Sequence, residues 1–124
     1  MNTVISTPKA PAAVGPYSQA IKAGNTVYCS GQIGLDPATG TMVEGVVAQA
    51  NRAFVNLEAV LAQAGAKMTD VVKFTIFLTD INDFSQVNEV MAAHVPTPYP
   101  ARSCMQVAAL PKGALVEVEA IAVI

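Results

Sequence analysis

From Val46 onward apolar residues recur at helical spacing. Val46, Val47, Ala50, Ala53, Phe54, Leu57, Val60, Leu61 and Ala64 fall on one stripe, the pattern of an amphipathic helix with one face on a core. Gly65 follows, where a helix end favours a left-handed residue. A shorter stripe of Phe84, Val87, Val90, Met91 and His94 predicts a second helix of about three turns, with N-cap candidates at Asp80–Asp83 and a stop at Pro96. Elsewhere the period is two. Residues Tyr17–Ala23 alternate, Asn25-Thr26 reads as a turn, and Val27–Gly34 reads as a second strand. Asp-Pro-Ala-Thr-Gly at 36–40 is turn chemistry. In Val71–Thr79, Val72, Phe74, Ile76 and Leu78 share one face. Val71 and Phe77 join Lys73, Thr75 and Thr79 on the other, so this strand is expected to be covered on both sides. Strands at Arg102–Ala109 and Leu115–Ile124, joined by Leu-Pro-Lys-Gly-Ala, complete the order β-β-α-β-α-β-β. That order predicts an α+β fold with two helices on one face of a mixed sheet. The bare sheet face then calls for a partner.

Composition sharpens that expectation. The 124 residues match the size of one domain, 1–124, and are 52% hydrophobic but only 13% charged, against roughly 25% charged in an ordinary soluble domain. Part of the surface is therefore expected to lie inside an oligomer. Net charge is −2, and the seven basic residues are scattered without a cluster, which argues against nucleic acid as the main partner. No apolar run reaches the length of a membrane span, and no basic stretch leads into an apolar one as a secretory signal would. A cytoplasmic protein with two free thiols, Cys29 and Cys104, is the expectation. One histidine, His94, and two distant cysteines supply no metal-ligand set.

Few residues can carry chemistry. Arg102 is one of two arginines and opens a strand behind Pro98 and Pro100. It can pair with a surface carboxylate, or its planar fork can grip a carboxylate or phosphate from a ligand; position alone does not choose. Glu117 and Glu119 share one face of the last strand, as a solvated surface or as a proton-carrying site. The last two strands read as a hairpin, and matching their apolar faces sets Arg102, Cys104, Gln106 and Ala108 beside Glu117 and Glu119. Arg102 and Glu117 are then about 20 Å apart at ~3.3 Å per residue. Serving one site would require two subunits. Cys104 reads as a packing residue or pocket wall, since no base is near it in the pattern. Gly31 marks a strand position open to close approach.

Several stretches together resemble the RidA/YjgF family: APAAVGPYSQA (10–20), SGQI (30–33), FLTDINDF (77–84), VNE (87–89), YPARSC (99–104) and ALPKGALVEVEA (109–120). The resemblance runs nearly end to end. It implies a chorismate-mutase-like fold assembled as a trimeric barrel with sites between subunits. It implies an enamine/imine deaminase that hydrolyses 2-imino acids (2-iminobutanoate, 2-iminopropanoate), released by pyridoxal-phosphate-dependent dehydratases, to 2-keto acids and ammonia, without metal or cofactor. By motif, Arg102 is the carboxylate clamp and Glu117 positions the water, while Tyr17, Ser30, Gly31, Asn88 and Cys104 line the cleft. Met91-Ala-Ala-His-Val95 departs from the family pattern, which often has aromatics at the positions of Met91 and Val95, and this leaves side-chain preference open. A non-catalytic binder of keto or amino acids, and the ribonuclease or translation-inhibitor role claimed for some relatives, are the alternatives.

Overall fold

The computed structural model describes residues 2–124. Among them lie the strands β1 (Asn2–Ile5), β2 (Ala20–Ala23), β3 (Thr26–Ile33), β4 (Val71–Leu78), β5 (Ala101–Gln106) and β6 (Val116–Val123), and the helices α1 (Val46–Gln63) and α2 (Phe84–His94). The strands form one sheet in the order β1-β2-β3-β6-β4-β5. β4 and β5 run parallel and every other pair is antiparallel. Both helices cover one face, as the apolar patterning predicts.

The core is the seam between that face and α1. Phe54, Leu57, Val60 and Leu61 of α1 meet Val27 of β3, Phe74, Ile76 and Leu78 of β4, and Val116, Val118 and Ala122 of β6, all essentially inaccessible to water. Gly34 permits the closest approach: a β-carbon there would lie 2.5 Å from the α-carbon of Gln49. α2 packs beside α1, where His94 stacks on Phe54 with ring centroids 5.5 Å apart and bonds Asn51.

The differences from expectation have local causes. β4 is irregular between Val71 and Lys73, so Val71 turns into the core and Val72 points out. Val47, in the first turn of α1, lies off the buried stripe and is exposed. β1 pairs with β2 although its sequence carries no alternation. Residues 17–19 precede β2 as irregular chain, and β5 ends at Gln106, whose side chain accepts from the Ile81 backbone N–H. Within the chain the second face of β4 is uncovered: Lys73, Thr75 and Phe77 reach the surface.

The largest correction concerns the end of the chain. β5 and β6 do not form a hairpin. β6 inserts between β3 and β4, and β5 pairs only with the far side of β4.

Two buried amides organise the loops. Gln19 accepts from the Thr7 N–H and donates to the carbonyls of Thr7, Ala10 and Pro11, tying residues 7–11 to the sheet. Asn56, wholly buried on α1, donates to the carbonyls of Ile33 and Leu35 and accepts from Arg52 Nε. It holds the end of β3, and so fixes where the chain leaves the sheet. Asn56→Ala leaves the Leu35 carbonyl without a partner, while the Ile33 carbonyl still accepts from the Leu35 N–H, and should cost about 1–3 kcal/mol, the range for a buried group left unpaired. A urea titration should show a clearly lower midpoint; an unchanged midpoint would show that this amide does not anchor the loop.

Candidate functional site

The sheet positions two groups of side chains. The first starts at Arg102. Its backbone is in register with Phe74 of the parallel neighbour β4, so its side chain rises on the helix-covered face. There α2 presents Phe84, Asn88 and Met91, spaced i, i+4, i+7 on one stripe. The guanidinium carbon lies 5.0 Å from the centre of the Phe84 ring. Nη1 donates to Asn88 Oδ1 and faces Met91 Sδ at 3.7 Å. Among the described residues neither Nε nor Nη2 has an acceptor. The fork is held from below and along one edge, and its other edge is open. Tyr99 and Pro100, after the cis Thr97–Pro98 peptide, form the opposite wall of a cleft of about 430 Å³. Cys104, two residues on, is half-buried and packs on the core. Burial pushes its thiol up, and the Arg102 charge offsets this only in part.

The second group gathers around Glu117. β3 bulges between Cys29 and Gln32, and Gly31 sits in the bulge beneath the Glu117 side chain. A β-carbon at Gly31 would come within 2.7 Å of the Glu117 carboxyl group, so any other residue would push that carboxyl group from its place. The close approach expected at Gly31 is therefore met by a carboxylate. Ser30 Oγ donates to the Ser18 carbonyl at 2.6 Å, which fixes its rotamer and leaves the oxygen able to accept. Tyr17, half exposed, stands at the mouth. The Gln19-tied segment supplies Pro11, Ala12 and Val14 as a wall, and the turn Pro111–Gly113 supplies the opposite rim, enclosing about 370 Å³. Glu117 is held above the ordinary carboxylate range, first by burial and then by the negative charge of Glu119 on the same strand face.

The six positions named with Arg102 thus divide. Asn88 and Cys104 lie with Arg102; Tyr17, Ser30 and Gly31 lie with Glu117. The expectation that Arg102 faces the same way as Glu117 is wrong. Arg102 aligns with Phe74, on the helix side, whereas Glu117 aligns with Phe77, on the bare side. Two strand spacings and three residues of offset put their α-carbons roughly 14 Å apart, pointing to opposite faces. One chain cannot bring them to one ligand.

Sequence reasoning missed the seat beneath Arg102 and the Pro11–Val14 wall. The seat was signalled by Phe84, Asn88 and Met91 sharing a helix face. The wall had no such signal, because it depends on Gln19 reaching back across eight to twelve residues. As chemistry, one cleft offers an open arginine edge to an anion, and the other a carboxylate whose proton affinity is raised. Cys29 is buried, its thiol pushed up to about 12, so neither cysteine is poised as a nucleophile. Among the described residues no three His, Cys, Asp or Glu side chains converge as metal ligands would, and no helix is long and apolar enough to cross a membrane.

Comparison with known proteins gives concordant matches. The family model described as Endoribonuclease L-PSP matches residues 7–124. A Capra hircus protein named 2-iminobutanoate/2-iminopropanoate deaminase is 55% identical over 121 residues, covering 97% of this chain and 88% of that protein. The crystal structure of RidA from the Antarctic bacterium Psychrobacter sp. PAMC 21119 superposes with a TM-score of 0.97 at 56% identity, over 98% of this chain and 99% of that one. E. coli TdcF with bound serine gives a TM-score of 0.92 at 43% identity, over 98% of each chain.

The electrostatics of the second group are open to test. Removing the like charge in Glu119→Gln favours ionised Glu117, so the Glu117 titration midpoint should fall. Carboxyl carbon NMR across the acid range measures it directly. A midpoint that stays put would remove Glu119 as a cause of the raised value.

Proposed function

The chain belongs to the RidA/YjgF family, and from that premise we propose that it is an enamine/imine deaminase, hydrolysing 2-imino acids such as 2-iminobutanoate and 2-iminopropanoate to 2-keto acids and ammonia. The observation that carries this reading is a pair of complementary, incomplete clefts: an arginine fork with a free edge, and a half-buried carboxylate seated on a glycine. It is joined to high identity with proteins bearing the deaminase name.

The chemistry asks little of a protein. A protonated imine is already electrophilic, so neither a covalent nucleophile nor a metal is needed. Arg102 takes the substrate carboxylate through the edge that Asn88 leaves open. Glu117, ionised, accepts a hydrogen bond from a water and draws its proton as the oxygen bonds to the imine carbon. The resulting carbinolamine carries hydroxyl and amine on one carbon. Glu117 returns the proton to nitrogen, the C–N bond breaks, ammonia leaves, and loss of the hydroxyl proton gives the keto group. The raised proton affinity of Glu117 suits a group that must both take and return a proton. Fixing substrate and water together supplies much of the acceleration, several kcal/mol by orientation alone. Tyr17 and Ser30 line the water's side of the site.

Because Arg102 and Glu117 face opposite ways in one chain, the site joins two chains. Arg102 is carried on the edge strand β5, where a ring of copies can set the rim of one sheet against the bare face of the next. That face leaves Val4, Tyr28, Met105 and Val123 exposed, more apolar area than a monomer with this little charge usually shows. The reading is of a homotrimer with three such interfaces, in the cytoplasm, acting on small imino acids, supported by the family membership and by this exposed apolar face. An RNA-cleaving role has less support: the clefts hold one arginine and one lysine, and the chain is net acidic.

Arg102→Ala should abolish deamination while leaving the fold intact, and Arg102→Lys should restore little, since an ammonium lacks the fork. Glu117→Gln should be nearly inactive. Coupled to a dehydratase that releases the imine, an equal mixture of exchanged Arg102→Ala and Glu117→Gln chains should recover about a quarter of wild-type activity, the fraction of head-to-tail interfaces that unite both intact residues. Light scattering should give three times the 12.8 kDa chain mass. Exchange without recovery would refute the shared site.

A further inference from the structure

The arginine that grips the substrate does not stand free, and the way it is held has a consequence. Three side chains of α2 meet it. Phe84, the first residue of the helix, lies beneath the guanidinium with its ring centre 5.0 Å from the central carbon. One helical turn later Asn88 accepts from Nη1, and Met91 sets its sulfur 3.7 Å from the same nitrogen. Both edge contacts use Nη1. The aromatic contact is made by the guanidinium carbon over the ring and takes up neither Nε nor Nη2, so a carboxylate bound at those nitrogens does not compete for it. Phe84 is itself fixed: it is part-buried and packs against the core, and the helix it opens follows a turn capped by Asp80, whose carboxylate accepts from the Asn82 N–H.

We propose that Phe84 is a positioning residue for the deaminase reaction, a cation–π seat that holds the Arg102 plane so that its free edge meets the substrate carboxylate already oriented. The inference rests on Arg102 being the carboxylate clamp. An arginine side chain has several rotatable bonds, and freezing them on binding weakens the complex. On an exposed edge strand, one hydrogen bond to Asn88 leaves the guanidinium able to pivot about that bond. The ring removes the pivot, because swinging the cation off the ring face gives up their electrostatic attraction. The seat therefore acts on carboxylate binding rather than on the water's attack, which takes place around Glu117.

The role can be separated from packing without changing the size of the core. In the full chain, position 84 is given phenylalanine with one, two or three ring fluorines, which weaken the ring's negative face stepwise at nearly constant volume. Binding of 2-oxobutanoate, the keto-acid product, is measured by calorimetry, and imine turnover in the dehydratase-coupled assay. The dissociation constant should rise with each fluorine, reaching about tenfold with three, in the range that cation–π contacts support. KM should rise in parallel while kcat holds. Phe84→Tyr should stay near wild type. Phe84→Leu should match or exceed the trifluoro effect if it folds, and the fluorinated series carries the test if it does not. Arg102→Ala is the reference. A flat fluorine series, with Arg102→Ala abolishing binding, overturns the seat and leaves the clamp standing. Undiminished binding by Arg102→Ala overturns both.

Discussion

The insertion of β6 between β3 and β4 is the constraint from which the chemistry of this chain follows. It separates the strand bearing Arg102 from the strand bearing Glu117, and it fixes their registers on opposite sides of β4. The parallel pairing of β4 with β5 then aims Arg102 at α2, while the antiparallel pairing of β4 with β6 aims Glu117 at the uncovered face. No rotamer change reverses this, because side-chain direction in a strand is set by residue parity. Under the proposed function, a site that uses both groups is completed by another copy, and assembly and activity become one property.

Each half of the proposed site is already shaped within one chain. The arginine is oriented by a helix stripe, and the carboxylate is oriented by a bulge with glycine at its floor. Burial of Glu117 raises its affinity for a proton, and its neighbour Glu119 adds to this. The loops that close the second half depend on buried amides rather than apolar contact. Gln19 ties down the Pro11–Val14 wall and Asn56 anchors the exit from β3. Such amides are fully paired in the structure, as buried polar groups must be. They are modest contributors to stability and strong determinants of shape.

Much of this was legible in the sequence and some was not, for physical reasons. Both helices appeared because a 3.6-residue period over ten or more positions has few competing explanations, as Ala50, Phe54, Leu57 and Leu61 illustrate. The closeness at Gly31 was legible because glycine within a strand marks a bulge or a close approach, and here it is both. The pairing of β5 was misjudged because a short turn at Pro111–Gly113 suggests a hairpin, and local sequence does not encode which strand lies between two others. A signal pointed the other way: strand, helix, strand over residues 71–106 is the pattern of a parallel crossover. Arg102 and Glu117 were named by motif, and their separation onto two faces required the register. Val72 defeated its alternation because one irregular pairing shifts parity for every residue before it.

The division of the site is the central claim, and a crystal structure of the assembled protein with 2-oxobutanoate bound tests it most directly. The account predicts the ligand carboxylate on the open edge of Arg102 of one chain, with Phe84 of that chain beneath the guanidinium. The keto carbon should face Glu117 and Ser30 of a different chain. A ligand held entirely by one chain, or bound with Arg102 untouched, would contradict it.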